Sequence, residues 1–282
     1  MVQINSHMFR DYDIRGVAGK DLNAREAELI GKAFGTFIKR KGHSRVVVGR
    51  DCRLSGPVLS SAVITGLLST GCDVVDIGLC SYGLAQYALR FIGKGNVVFV
   101  SASHNPPEFN GFRMVVSSKT ILGVEIKELS QLIDKDDFET GNGDLSTADP
   151  LRDYYKFLLS KVKLKRGLKI VVDCGNGMGG MVMPGILEEA GCEVIGLFCE
   201  LDGSFPNHPP DPSNPVNLAT LVQEVKKRNA HLGLAFDGDA DRIAVVDETG
   251  KVFAGDELAA VFSKQVLARN PGAKIIFEVN CS

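Results

Sequence analysis

A chain of 282 residues, 44% hydrophobic and 23% charged, can bury a sizeable core and has room for one large or two ordinary domains. Its 32 basic and 34 acidic residues nearly cancel and no Lys/Arg block stands out, which argues against a nucleic-acid footprint or a polybasic membrane patch. There is no apolar stretch of membrane-span length and no signal-like start, and the seven scattered cysteines contain no Cys-x-x-Cys pair, so a soluble protein of a reducing, cytoplasmic compartment is expected.

After the segment 10–15, Ala27, Ile30, Phe34, Phe37 and Ile38 recur at helical spacing, and Gly42 ends that helix. Residues 45–48 form the first predicted strand. A helix over 57–69, a strand over 73–77 and a short helix over 84–91 follow. The apolar, β-branched run 96–100 reads as a buried strand, 112–116 as a return strand and 124–133 as a closing helix. Residues 135–150, rich in Asp, Gly, Asn, Ser and Thr, read as a linker or surface loop before a helix over 151–159, which sets a domain boundary near 150.

The strand at 45–51, a helix, and Gly71-Cys72-Asp73-Val74-Val75 then recur as the strand at 168–173, a helix, and Gly191-Cys192-Glu193-Val194-Ile195. Two strand–helix–strand units of similar length predict two α/β domains of related design with parallel crossovers. A third copy begins with a predicted strand at 273–279, and the sequence stops at Ser282, so a piece of a longer polypeptide is expected.

Chemistry concentrates at strand ends, where ligands of open α/β sheets gather. Ser101-Ala102-Ser103-His104-Asn105-Pro106-Pro107 puts a hydroxyl, an imidazole and an amide on a turn just past the predicted strand 96–100. Asp237-Gly238-Asp239-Ala240-Asp241-Arg242 follows another apolar strand, and carboxylates at i, i+2 and i+4 on a tight turn can converge on one hard cation, favouring Mg²⁺ over Zn²⁺. An EF-hand is disfavoured because Arg242 stands where its glycine belongs and strands flank the loop; a phosphatase with an Asp237 nucleophile leaves the third carboxylate unexplained. Gly175-Asn176-Gly177-Met178-Gly179-Gly180 meets the written form of a dinucleotide fingerprint, against which stands Asp173 at the strand end. Arg10, Arg15, Arg50 and Arg53 near strand ends suit a phosphate or an ordinary Arg–Asp network.

Taken together, the segment 9–16, the serine loop, the acidic loop and Asp202-Gly203-Ser204-Phe205-Pro206-Asn207-His208 with Asp211-Pro212-Ser213-Asn214-Pro215 make the chain resemble the α-D-phosphohexomutases, most closely the phosphomannomutase/phosphoglucomutase branch. The resemblance implies repeated α/β/α domains with mixed, mostly parallel sheets: 1–150 carrying the catalytic serine, 151–250 carrying the metal loop, and 251–282 as the truncated opening of a third domain. It implies that Ser103 carries a phosphoryl group, that Ser103, Asp237, Asp239 and Asp241 hold Mg²⁺, and that Arg15, His104, Tyr12, Arg113 and Arg242 line the centre. The reaction implied moves phosphate between O6 and O1 of a hexose phosphate through a hexose 1,6-bisphosphate. A non-catalytic phosphosugar-binding module and a phosphoglucosamine mutase are the alternatives.

Two departures from the family pattern matter. Arg113 stands where the family commonly has a lysine, and a guanidinium stays protonated where a lysine can be tuned toward a base. Arg15, a water or His104 would then take that role. The sugar-hydroxyl loop and phosphate clamp of later family domains are outside these residues, so this polypeptide alone is expected to turn over weakly.

Overall fold

The computed structural model describes residues 4–164, 167–253 and 255–276. Among them, the first unit runs β1 (Ile14–Val17), α1 (Ala24–Arg40), β2 (Arg45–Arg50), α2 (Gly56–Ser69), β3 (Asp73–Leu79), α3 (Tyr82–Phe91), β4 (Val97–Val100), β5 (Phe109–Val116), β6 (Lys119–Thr120), α4 (Val124–Asp134) and β7 (Leu145–Thr147). Its sheet has the order β1-β5-β4-β2-β3-β7, with β6 pairing the C-terminal end of β5 at Val115 and Val116. The centre, β4-β2-β3, is parallel, whereas β1 and β5 run antiparallel at one side.

Alternation along the parallel strands sorts the core. Val46, Val48, Val98 and Val100 face the layer of α1, α2 and α4, while Val47, Val97 and Phe99 face α3. Both faces are covered, which explains why these strands read as unbroken apolar runs.

The second unit contains α5 (Leu151–Leu159), β8 (Lys169–Asp173), α6 (Gly179–Glu189), β9 (Glu193–Leu197), α7 (Ala219–Arg228), β10 (Leu232–Phe236), β11 (Ile243–Asp247), β12 (Val252–Phe253) and α8 (Gly255–Arg269). The sheet order is β12-β11-β10-β8-β9; β8 is parallel to β9 and β10, and β10 turns back through the acidic loop into antiparallel β11. Helix α7 packs on one face with Val171, Ala235 and Val246, while Met183 and Leu187 of α6 pack with Ile170, Val172 and Phe236 on the other. The predicted repeat is therefore present as β2-α2-β3 and β8-α6-β9. Helix α5 bridges the units: the Tyr155 hydroxyl donates to the carbonyl of Val182 at 2.9 Å, and Tyr154 packs on Tyr87 with ring centroids 5.6 Å apart.

Three expectations need correction. The first strand is β1, not the strand at 45; it is held by four register pairs to β5, while a four-residue segment containing Arg15 and Gly16 carries no readable alternation. The segment read as linker contributes β7, a parallel edge strand on β3 whose three side chains are all exposed, so only its backbone signals it. The strand predicted at 273–279 falls partly outside the described residues, and its described part, 273–276, is not extended into any strand. Helix α8 stands just before it, with no buried residue and with Val261 and Phe262 exposed. No helix among the described residues is long and apolar enough to cross a membrane, and Cys52, Cys72, Cys80, Cys174, Cys192 and Cys199 are free thiols.

Candidate active site

The C-terminal ends of β4 and β10 face one another, and the loops they launch meet. Ser103 stands at φ +52°, in the left-handed region that a residue with a Cβ enters only when its surroundings impose it, at a cost of about 1–3 kcal/mol. Its N–H donates to Ser101 Oγ at 2.8 Å. Its Oγ donates to Asp237 Oδ2 at 2.6 Å and lies 3.4 Å from His104 Nδ1. The side chain is almost wholly buried, at 3% exposure.

Three backbones stack to make this approach. A Cβ on Gly238 would lie 2.5 Å from the Ser103 carbonyl oxygen, and one on Gly177 would lie 2.8 Å from the Gly238 carbonyl oxygen. The Met178 N–H also donates to that carbonyl at 2.9 Å. The glycine-rich turn after β8 is thus filled by the acidic loop where a pyrophosphate would sit, so its glycines serve close approach within the chain.

In the acidic loop, Asp237 Oδ1 accepts the N–H groups of Asp241 and Arg242, both at 3.0 Å, which closes the turn around Ala240 at φ +60°. Ser101 Oγ donates to Asp239 Oδ2 at 3.1 Å, and the Tyr82 N–H donates to the Asp239 carbonyl at 2.9 Å. One oxygen each of Asp237, Asp239 and Asp241 lies within 4.8 Å of the others. Burial, then the neighbouring carboxylates Asp237 and Asp241, holds the Asp239 carboxyl well above the usual carboxylate range. Asp237 is also raised, first by burial and then by Asp241, with the Ser103 hydroxyl opposing.

Asp239 Oδ1 is buried with no hydrogen-bond partner. A buried carboxylate oxygen with no donor, beside two further carboxylates, lacks a positive partner, and an all-oxygen set suits a hard divalent cation. The residues therefore fit Mg²⁺.

The cationic residues divide. Arg113 Nη1 donates to Asp241 Oδ2 at 2.7 Å, and its guanidinium lies 4.4 Å over the Tyr82 ring. Burial would lower its pKa, but Asp241 outweighs that and the group is raised; it is a fixed cation. Arg15 is buried between Asp13 Oδ2 at 2.5 Å, the Ala102 carbonyl at 3.0 Å and Asn105 Oδ1 at 2.7 Å, with its Nε left without a partner. Burial, followed by Arg242, lowers the His104 pKa, so its imidazole is neutral near pH 7. Arg242 is exposed at the mouth of the site. Tyr12 is 58% exposed on the turn before β1 and has no hydrogen-bond or ring partner among the described residues.

Ser101 and Tyr82 are not singled out by the sequence, whereas the amide of the serine loop, Asn105, is, and it meets Arg15 Nη1. Ser101 carries a weak signal, a second hydroxyl two residues before Ser103, whereas Tyr82 lies at the start of a helix with nothing local to mark it. Arg50 stays part-exposed, but Arg53 is wholly buried and cannot meet a phosphate from solvent.

A further buried carboxylate, Asp173, backs the glycine-rich turn, its Oδ1 accepting the Gly175 N–H at 2.9 Å. His208 Nε2 lies 3.1 Å from Asp173 Oδ1, and this contact raises the histidine pKa above 6.5 despite burial. A group that binds its proton more tightly when folded stabilises the fold fully below pH 6.5 and loses that contribution as pH rises through the raised value. Urea unfolding of the wild type should therefore lose about 1 kcal/mol across that rise. The decline should flatten in His208→Gln; an equal slope in both would contradict the assignment.

Comparison with known proteins places this geometry. The domain I profile of phosphoglucomutase/phosphomannomutase, an alpha/beta/alpha domain, matches residues 6–140, and the domain II profile matches 152–250. A phosphomannomutase/phosphoglucomutase of Pseudomonas aeruginosa is 46% identical over 275 residues, covering 98% of this chain and 59% of that protein. A phosphoglucomutase of Neisseria meningitidis is 41% identical over 281 residues, covering 99% of this chain and 61% of that one. The crystal structure of a phosphoglucomutase/phosphomannomutase family protein from Burkholderia thailandensis superimposes with a TM-score of 0.95 at 40% identity, covering 99% of this chain and 63% of its own. Fold and site thus define a pair of phosphohexomutase-type α/β/α domains. The chain belongs to the phosphoglucomutase/phosphomannomutase family and matches its N-terminal part, spanning about three-fifths of the length of these relatives.

Proposed function

We propose that this chain is the phosphoryl-relay half of a Mg²⁺-dependent phosphohexomutase, which interconverts hexose 6-phosphate and hexose 1-phosphate of glucose, mannose or both. The observation that carries the reading is a serine hydroxyl 2.6 Å from one member of a three-carboxylate cluster, on a left-handed turn held from several sides. The names of the relatives at 41–46% identity support the sugar classes. We assign 1–150 to the serine-bearing domain, 151–250 to the acidic-loop domain and 251–282 to the opening of a third. The free thiols fit a cytoplasmic location.

In this reading, phosphoserine 103 gives its group to a hydroxyl of the sugar monophosphate: the P–Oγ bond breaks, a P–O bond to the sugar forms, and the sugar proton leaves to a base. The 1,6-bisphosphate so formed turns over in the site and returns its other phosphate to Ser103, also acting as activator. Ser103, Asp237, Asp239 and Asp241 would hold Mg²⁺, which when bound neutralises charge on the phosphoryl oxygens. Arg15 and Arg242 supply further positive charge. Arg113 cannot accept a proton and serves as a fixed cation; neutral His104, 3.4 Å from the serine oxygen, is the proton acceptor we favour. Tyr12, exposed on the turn before β1, would contact substrate.

Phosphorus NMR on the intact protein, given glucose 1-phosphate or mannose 1-phosphate with Mg²⁺ and a trace of glucose 1,6-bisphosphate, tests the function. The expected result is growth of the 6-phosphate resonance. Binding of either sugar phosphate with no interconversion would favour the non-catalytic module instead.

A further inference from the structure

Arg53 follows β2 in a chemistry-rich segment, yet it is the largest side chain with no solvent exposure in the molecule's described part. Its guanidinium spends every donor. Nε donates to Asp51 Oδ2 at 3.1 Å; Nη1 donates to the carbonyls of Pro106 at 2.6 Å and Phe109 at 2.9 Å; Nη2 donates to those of Ser103 at 2.8 Å and Asn105 at 2.7 Å. Five N–H groups meeting five acceptors leave none for a ligand. The Phe205 ring covers the guanidinium at 5.1 Å, and a Cβ on Gly203 would lie 2.3 Å from the Cys52 carbonyl, so the second unit seals the arginine from water.

We propose that Arg53 is a positioning residue for phosphoryl transfer: one planar cation gathers four carbonyls of the serine loop and so fixes Ser103 in its left-handed conformation, with Oγ on Asp237. The inference rests on Ser103 being the phosphoryl carrier. The physical need is specific. Four carbonyl oxygens turned toward one point repel unless a cation joins them, and the Ser103 carbonyl is one of the four. Asp51, buried beside the guanidinium and bonded to the Arg53 N–H at 3.0 Å, balances its charge and fixes its plane. A lysine keeps the charge but offers three donors from one point, so it cannot span this set of acceptors.

The test uses Arg53→Lys and the charge-balanced double variant Asp51→Asn with Arg53→Met, both in the intact protein. Amide exchange at Ser103, Asn105 and Phe109 should rise about tenfold or more while the sheets keep wild-type protection. Mutase kcat should fall about 100-fold with KM for the sugar phosphate within about threefold, because the loss is of alignment rather than of substrate contacts. Unchanged exchange in the serine loop, or kcat within about threefold of wild type in either folded variant, would overturn the proposal. So would failure of both variants to fold, since Arg53 would then serve the fold rather than the loop. If the wild type itself shows no Ser103-dependent turnover, the phosphohexomutase reading fails, and the exchange result alone decides the clamp.

Discussion

Ser103→Ala in the intact protein should reduce sugar-phosphate interconversion by about a thousandfold or more, the scale of losing a covalent carrier. The reason is local. The hydroxyl is the group nearest the carboxylate cluster, and in the described structure no second hydroxyl can stand in for it: Ser101 Oγ already bridges the Ser103 N–H and Asp239. The fold should tolerate the change, since alanine fits the same turn and only the hydrogen bond to Asp237 is lost, a cost of about 1 kcal/mol. Thermal unfolding within a few degrees of wild type, alongside absent turnover, is the expected pair of results. A variant retaining a tenth of wild-type turnover would remove Ser103 from the mechanism.

Asp239→Asn should separate stability from function in opposite directions. This carboxyl is buried, has an oxygen with no hydrogen-bond partner and lies beside Asp237 and Asp241. Removing its charge relieves repulsion and desolvation, so in EDTA the variant should be more stable than wild type by on the order of 1–2 kcal/mol. The same change should weaken Mg²⁺ binding by about 100-fold, because a neutral amide is a poorer partner for a hard cation. Urea titration in EDTA and calorimetric titration with MgCl₂ measure the two effects. Undiminished Mg²⁺ affinity, or a less stable metal-free variant, would mean that the cluster is held by other contacts and is not a cation site.

What could be read before the structure was what short-range pattern carries. The serine loop and the acidic loop each follow a buried apolar strand, so their position at strand ends was legible, as were the helices with a clear apolar stripe such as α1. Their meeting was not: Ser103 and Asp237 are 134 residues apart, and only the resemblance to a family joined them. The strands β1 and β7 escaped because one is four residues long and interrupted by Arg15 and Gly16, and the other exposes every side chain. Glycine spacing after β8 pointed toward a nucleotide because sequence shows that the backbone needs room but not what occupies it. Here it is Gly238. Arg53 shows the same ambiguity for charge: a guanidinium near a strand end suits a phosphate oxygen and a ring of carbonyls equally, and burial alone decides between them.

Intact-mass spectrometry of the purified protein, before and after glucose 1-phosphate with Mg²⁺, addresses the relay at Ser103 most directly. The protein charged with glucose 1,6-bisphosphate should carry one added phosphoryl group, mapped by peptide fragmentation to Ser103 and lost on addition of the monophosphate. A phosphate that maps elsewhere, or one on Ser103 that the sugar phosphate leaves in place, would contradict it.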